Sequence, residues 1–192
     1  MLYNQNNLNV AKFASTSDIR PELAGVLFTK SKTVATDAVR LIEVSTHAKL
    51  DVTKIPQAMQ GFKPFIVNAK QLREVKLPHN KSIAELDTLA VKFRDDSKVE
   101  LMTADKDGNQ NVRVLRSIAG EFPDYEKIFP TGAPVAEITI NGEMIAELFA
   151  TLAKIGNLSM VTLKLYGKTK PVVLEAGNEQ QKGRAMIMGM NN

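Results

Sequence analysis

The sequence predicts an α+β fold made of antiparallel sheets with few helices. Three observations point there. Short segments alternate apolar and polar residues at a period of two. A few longer stretches repeat apolar residues every three or four positions. The order strand, helix, strand, strand, strand recurs along the chain, which makes it a repeat of β-α-β-β-β units.

The elements follow in order. A helix is expected over 7–14, with Leu8, Val10, Ala11 and Phe13 as its apolar content, then strands near 25–30, 32–37 and 40–45. This first unit has a short or missing leading strand. Phe65-Ile66-Val67 leads the second unit into a helix from Asn68 to about Val75, with Leu72 and Val75 facing inward. Lys70, Arg73 and Lys76, spaced by three, then lie close together on its other side. Strands near 86–93, 98–104 and 111–118 complete that unit; Leu89, Val91 and Phe93 alternate with Ala90 and Lys92. Asp107-Gly108 is the expected hairpin tip. Phe129-Pro130-Thr131-Gly132-Ala133-Pro134 reads as a linker, which divides the chain into 1–130 and 131–192.

The third unit begins with a strand over 136–140, where Ala136, Ile138 and Ile140 share a face. A helix over 142–155 follows, with Asn141 as N-cap, Gly156-Asn157 as stop, and Ile145, Leu148, Leu152 and Ile155 as its apolar stripe. Strands over 160–166, 171–176 and 184–190 end the unit, the last alternating Met186, Met188 and Met190 with Ile187 and Gly189.

Composition excludes several function classes. The 192 residues hold no cysteine, so there is no disulfide framework, thiol nucleophile or thiolate metal site. Two histidines, His47 and His79, are too few for a His-rich metal centre and read as surface loop residues. No tryptophan offers a stacking platform for single strands. No apolar run approaches membrane-spanning length, and the N-terminus lacks a basic segment followed by an apolar one, so a cytoplasmic location is the expectation. The net charge of +4 permits an anionic polymer as partner without demanding one. Asp105–Asn109 lacks the oxygen spacing and closing Glu of a calcium loop and reads as a turn. Asp95-Asp96 and Asp105/Asp107 lack a nucleophile, a metal-ligand set or a phosphate-cradling loop, so no enzyme activity and no cofactor are expected.

Four segments resemble the bacterial DNA polymerase III beta subunit, the sliding clamp. Gly120-Glu121-Phe122-Pro123-Asp124-Tyr125-Glu126-Lys127-Ile128-Phe129-Pro130 resembles the G-x-F-P-D-Y signature that ends the clamp's middle domain. Arg20–Val26 resembles the entry to that domain's first sheet, and Thr33–Leu41 resembles V-A-T-D-G-x-R-L. Pro171–Leu174 with Ala185–Met190 resembles the last two clamp strands. The matches fall in family order and cover about residues 8 to 192. They correspond to the middle domain, as two units over 1–130, and to the second half of the last domain over 131–192. Ala38 stands where the family has glycine, Gly189 where it has proline, and Asn191 where it has a basic residue.

The resemblance implies a DNA-clamp fold with sheets outside and helices on the inner face. It implies a nucleoid-associated processivity factor that encircles double-stranded DNA and tethers polymerase and other proteins carrying a clamp-binding motif, with a clamp loader as a further partner. Rings of this family contain twelve such units, so three per chain would make a homotetrameric ring or another closed homo-oligomer. Candidate DNA contacts are the stripe Lys70, Arg73 and Lys76, then Lys12 and Lys154 on the other helices and Arg20 in the loop before the first sheet. A solvated helix face is the competing explanation for each lysine, and Glu143 and Glu147 argue against a basic third helix. The implied peptide pocket maps to Leu23, Thr36, Ala38, Arg40, Leu41, Pro123, Ile128, Asn141, Met144, Val172, Met186, Met188 and Met190. Methionine suits such a groove because thioethers re-pack around different anchors; the competing explanation is that Met186, Met188 and Met190 are core residues on one strand face. The alternative function is a non-encircling adaptor or decoy that binds the same peptides without DNA topology.

Overall fold

The computed structural model describes residues 2–17, 19–46, 62–77, 88–95, 97–104, 109–155, 159–167 and 170–190. His47, His79, the Asp107-Gly108 turn and the Gly156-Asn157 helix stop lie outside the described residues. The chain forms two compact units, Met1–Ile128 and Phe129–Asn192, which divide at the Pro-rich segment.

Each repeat opens on an asparagine that caps a helix. Strand β1 (Leu2–Asn4) ends at Asn4, whose side chain accepts from the amides of Asn6 and Asn7 at the start of α1 (Gln5–Asn9). Asn7 closes a capping box by accepting from the Asn4 amide. A tighter 3-10 turn, Val10–Phe13, continues α1, so the expected helix over 7–14 starts earlier and ends as a different helix type. Strand β5 (Phe65–Asn68) ends at Asn68, which accepts from the Gln71 amide ahead of α2 (Ala69–Arg73). In the second compact unit, Asn141 accepts from the amides of Glu143 and Met144 ahead of α3 (Gly142–Leu152). A short polar side chain satisfies otherwise orphaned amides, which fixes where each helix starts.

The first compact unit holds two β-α-β-β-β repeats that exchange their leading strands. After α1 come β2 (Gly25–Phe28), β3 (Lys32–Thr36) and β4 (Leu41–Ser45); after α2 come β6 (Thr88–Asp95), β7 (Lys98–Ala104) and β8 (Gln110–Ile118). All pair antiparallel in one sheet of order β1-β6-β7-β8-β5-β2-β3-β4. Thus β1 pairs with the first strand after α2, and β5 pairs with the first strand after α1. Under the sheet, Leu8, Val10 and Leu72 of the helical segments, with Val75 just past α2, pack with Val26, Phe28, Val67, Leu89, Val99 and Leu115. Phe28 is fully buried between Phe65, stacked at 5.4 Å, and Tyr3, edge-on at 4.9 Å. Tyr3 donates its hydroxyl to the Thr29 carbonyl at 2.8 Å, which satisfies the buried phenol.

The second compact unit is a single repeat. A three-stranded antiparallel sheet of order β11-β10-β9 contains β9 (Thr162–Lys164), β10 (Val172–Gly177) and β11 (Lys182–Ile187). The stripe Ile145, Leu148, Leu152 and Ile155 packs with Val172 and Leu174. The expected strand over 136–140 forms no ladder. Ile138 and Ile140 still pack on the core, and the Met190 amide donates to the Thr139 carbonyl at 2.7 Å.

Candidate functional site

The first compact unit carries its candidate pocket residues around two tight structures. Leu23 sits in the 3-10 turn Pro21–Ala24 and is buried, so it supports that turn from below and offers no surface. Between β3 and β4, Thr36 donates its hydroxyl to the Arg40 carbonyl at 2.7 Å and accepts from the Ala38 amide at 3.1 Å. Ala38 has φ 74°, in the left-handed region that glycine enters without steric cost. That geometry is the physical reason a glycine suits this position. Leu41 follows at the start of β4, half-buried.

Arg40 is anchored. Its Nε and Nη2 donate to Asp37 Oδ2 at 2.9 and 2.6 Å, and its guanidinium lies 5.3 Å from the centre of the Phe13 ring. The Arg40 amide, the Arg40 guanidinium and the Val39 amide all donate to the Asp37 carboxylate and hold it at about 2. A lowered carboxylate pKa contributes stability above the ordinary Asp value and loses it as pH falls through about 2. An NMR titration of the Asp37 carboxyl should therefore give a midpoint near 2; a midpoint near 4 would show that the turn is not held this way.

The G-x-F-P-D-Y segment is pinned to the same sheet. Tyr125 is buried, with Phe122 edge-on at 6.0 Å. Lys32 of β3 lies 5.1 Å from the Tyr125 ring centre and pairs with Glu43 at 2.8 Å and Glu126 at 3.0 Å. Hydrogen bonds to Glu43, Tyr125 and Glu126 push the Lys32 ammonium up. Pro123 ends half-buried, and Ile128 is exposed.

In the second compact unit the candidates fall into two groups. Val172 is fully buried and Asn141 is occupied as the α3 cap, so the structure places both in support of the fold. Met144, Met186, Met188 and Met190 are exposed. The core reading of the terminal methionines is therefore corrected. Ala185 and Ile187 turn to the core, and period two sends Met186 to the opposite side; β11 ends at Ile187, short of the expected 190, and Met188 and Met190 follow it exposed. Beside Met186 on that face, Glu175 meets Lys164 at 2.6 Å and Arg184 at 3.6 Å. Several exposed thioethers in one small unit are an unusual surface for a protein that binds nothing.

The candidate DNA contacts divide as well. Lys12, Lys70, Lys76 and Lys154 are exposed. Arg73 is tied down: its Nε donates to the Ala11 carbonyl at 2.8 Å and its Nη2 to the Ala14 carbonyl at 3.2 Å. It satisfies the carbonyl end of the first helical segment, and α2 ends at Arg73, short of the expected Val75, so the expected one-helix stripe reduces to Lys70 on α2 and Lys76 beyond its end. Arg20 pairs with Glu22 at 3.0 Å, and Asp18, its expected neighbour, lies outside the described residues. Lys154 shares the α3 region with exposed Glu143 and Glu147. Among the described residues no group of three His, Asp or Glu could hold a metal ion, and no helix is long and apolar enough to cross a membrane.

No family model matches the sequence, and no curated protein sequence matches it. Solved structures do match. The beta subunit of DNA polymerase from Streptococcus pyogenes aligns over 100% of this chain with a TM-score of 0.72 at 17% identity. The DNA polymerase sliding clamp of Bacillus subtilis aligns over 98% with a TM-score of 0.73 at 17% identity. The DNA polymerase III beta subunit of Pseudomonas aeruginosa aligns over 98% with a TM-score of 0.67 at 20% identity. These alignments use 50%, 48% and 50% of those chains, so this chain spans about half the length of the clamps it matches. The chain has the sliding-clamp fold, resembling bacterial DNA polymerase III beta subunits throughout its length.

Proposed function

We propose that this protein is a DNA sliding clamp assembled from several copies, which surrounds duplex DNA and tethers polymerase and other partners by short peptide motifs. The observation that carries the reading is the likeness to clamps over the whole chain, two units and all. Clamps need no covalent chemistry: topology retains them, and weak phosphate contacts leave them free to slide. Three repeats per chain and twelve per ring make a tetramer the simplest closed assembly.

Lys70 and Lys76 are the proposed phosphate contacts of the second repeat, with Lys12 a contact of the first. Arg73 acts through the fold. On nicked circular DNA, Lys70→Ala with Lys76→Ala should shorten retention and flatten its salt dependence, by about 0.9 in log–log slope for each phosphate no longer neutralised. Its melting temperature should stay within about 2 °C of the parent, since exposed lysines contribute little to stability. Arg73→Ala should do the reverse: it takes the guanidinium from the Ala11 and Ala14 carbonyls, of which Ala11 keeps the Ala14 amide, and costs about 1–3 kcal/mol. Equal retention by the double-lysine variant and the parent would remove α2 and the residues just after it from the DNA channel.

The peptide groove is proposed to use the exposed methionines of the second compact unit. The adaptor reading keeps this groove and drops the ring; the exposed Glu143 and Glu147 on α3 favour it. It predicts peptide binding with no difference between circular and linear DNA.

A further inference from the structure

We infer that two copies of this chain complete one clamp domain between them, each leading segment 136–140 adding as a strand to the outer edge of the other copy's β9. The inference rests on the fold alone and not on the DNA-binding reading.

The first compact unit supplies the template. There, two repeats complete each other by exchanging leading strands: β5 lies on β2, and β1 lies on β6. The receiving strands are covered as a result, with Val26 and Phe28 fully buried on β2, and Leu89 and Val91 buried on β6. The second compact unit is one repeat with both halves of that exchange unmade. Strand β9 holds the position of β2 and β6, yet it ends its sheet and all three of its residues are exposed. Leu163 lies opposite the fully buried Leu174 and is still 46% exposed. The leading segment is in the same state: the backbone of Thr139 turns to Met190, so in extended chain Ile138 and Ile140 turn theirs to the open edge.

What β9 lacks is a leading strand, and what the leading segment lacks is a β9. A second copy offers both at once, in one isologous, two-fold contact. The small core agrees. Among the described residues, three buried side chains anchor the cluster of this unit, against eighteen in the two-repeat unit, and small cores need a partner.

The template also fixes the register. Asn68 lies opposite Gly25 and Asn4 opposite Thr88; each capping asparagine faces the residue just before the first buried hydrophobic side chain of the receiving strand, Val26 and Leu89. Carried over, Asn141 faces Met160. Ile140 then faces Val161, Thr139 faces Thr162, Ile138 faces Leu163 and Glu137 faces Lys164. This register puts apolar residues opposite apolar ones on the core face, where Ile138, Ile140 and Val161 already pack. On the other face, among the described residues, Glu175 alone meets both Lys164 and Arg184, which leaves a surplus positive charge beside β9. Glu137, exposed and without an ion pair among the described residues, supplies the matching negative charge.

The absence of cysteine allows a direct test on the full chain. Thr139→Cys with Thr162→Cys, both at exposed positions, should give a disulfide-linked dimer on oxidation, with the 139–162 bridge identified by peptide mass. Each single variant should give none, because a two-fold exchange keeps like positions apart. Far-UV circular dichroism checks that the variants fold. Glu137→Lys should weaken the dimer about tenfold by light scattering, and adding Lys164→Glu should restore it. A chain that stays monomeric at every concentration overturns the inference. So does a dimer that forms no 139–162 bridge, or a β9 edge that is filled by a different polypeptide. DNA retention is scored separately, so a dimer without retention would count against the proposed function and leave this interface standing.

Discussion

A peptide with a clamp-binding glutamine and hydrophobic anchors should bind the Met188→Asp chain at least 100-fold more weakly than the parent, with the melting temperature unchanged. Met188 is 58% exposed, so an aspartate there stays hydrated in the free protein and folding is not penalised. Peptide docking changes that. Apolar anchors seated on the exposed methionines would strip water from the carboxylate, and an unpaired buried charge costs several kcal/mol or forces protonation. About 2.7 kcal/mol already amounts to 100-fold. Titration calorimetry reads the loss. Binding of the Met188→Asp chain within tenfold of the parent would place the groove elsewhere.

The largest stability effect should come from Phe28→Ala, at about 3–5 kcal/mol in urea unfolding. Phe28 has no exposed surface and joins residues from both repeats: Tyr3 on the leading strand of the first and Phe65 on the leading strand of the second. Removing its ring deletes two aromatic contacts and leaves a cavity where the exchanged strands meet. A loss below about 1 kcal/mol would mean that the repeats do not depend on this cluster.

These predictions rest on features that were unequally legible in the sequence. The helix stripes were plain: Leu72 turns inward, as do Ile145, Leu148 and Leu152, because period and burial coincide on an amphipathic helix, while Val75 is buried just past the end of α2. The hairpin of β7 and β8 also followed from alternation, since its strands pair in register from Lys98–Arg116 to Ala104–Gln110. Strand alternation reports which residues share a face and says nothing of what lies beside the edge. Segment 136–140 therefore read as a strand although it forms no ladder in this chain. The same limit hid the orientation of β11: Met186 and Ile187 are both apolar, and only the packed structure shows that the isoleucine faces the core. Arg73 read as a free cation because its acceptors, the Ala11 and Ala14 carbonyls, lie about sixty residues away in sequence. One signal was present and overlooked. Asparagine ends the leading segment of all three repeats, at Asn4, Asn68 and Asn141, and a repeat aligned on those caps gives the unit boundaries directly.

The central claim is topological, and one measurement addresses it. The protein is loaded onto nicked circular DNA, the DNA is cut once with a restriction enzyme, and the bound protein is followed in time. A sliding ring stays on the circle and runs off the linear form, so the cut should shorten retention by tenfold or more at fixed salt. Equal release from circular and linear DNA would contradict the encircling clamp.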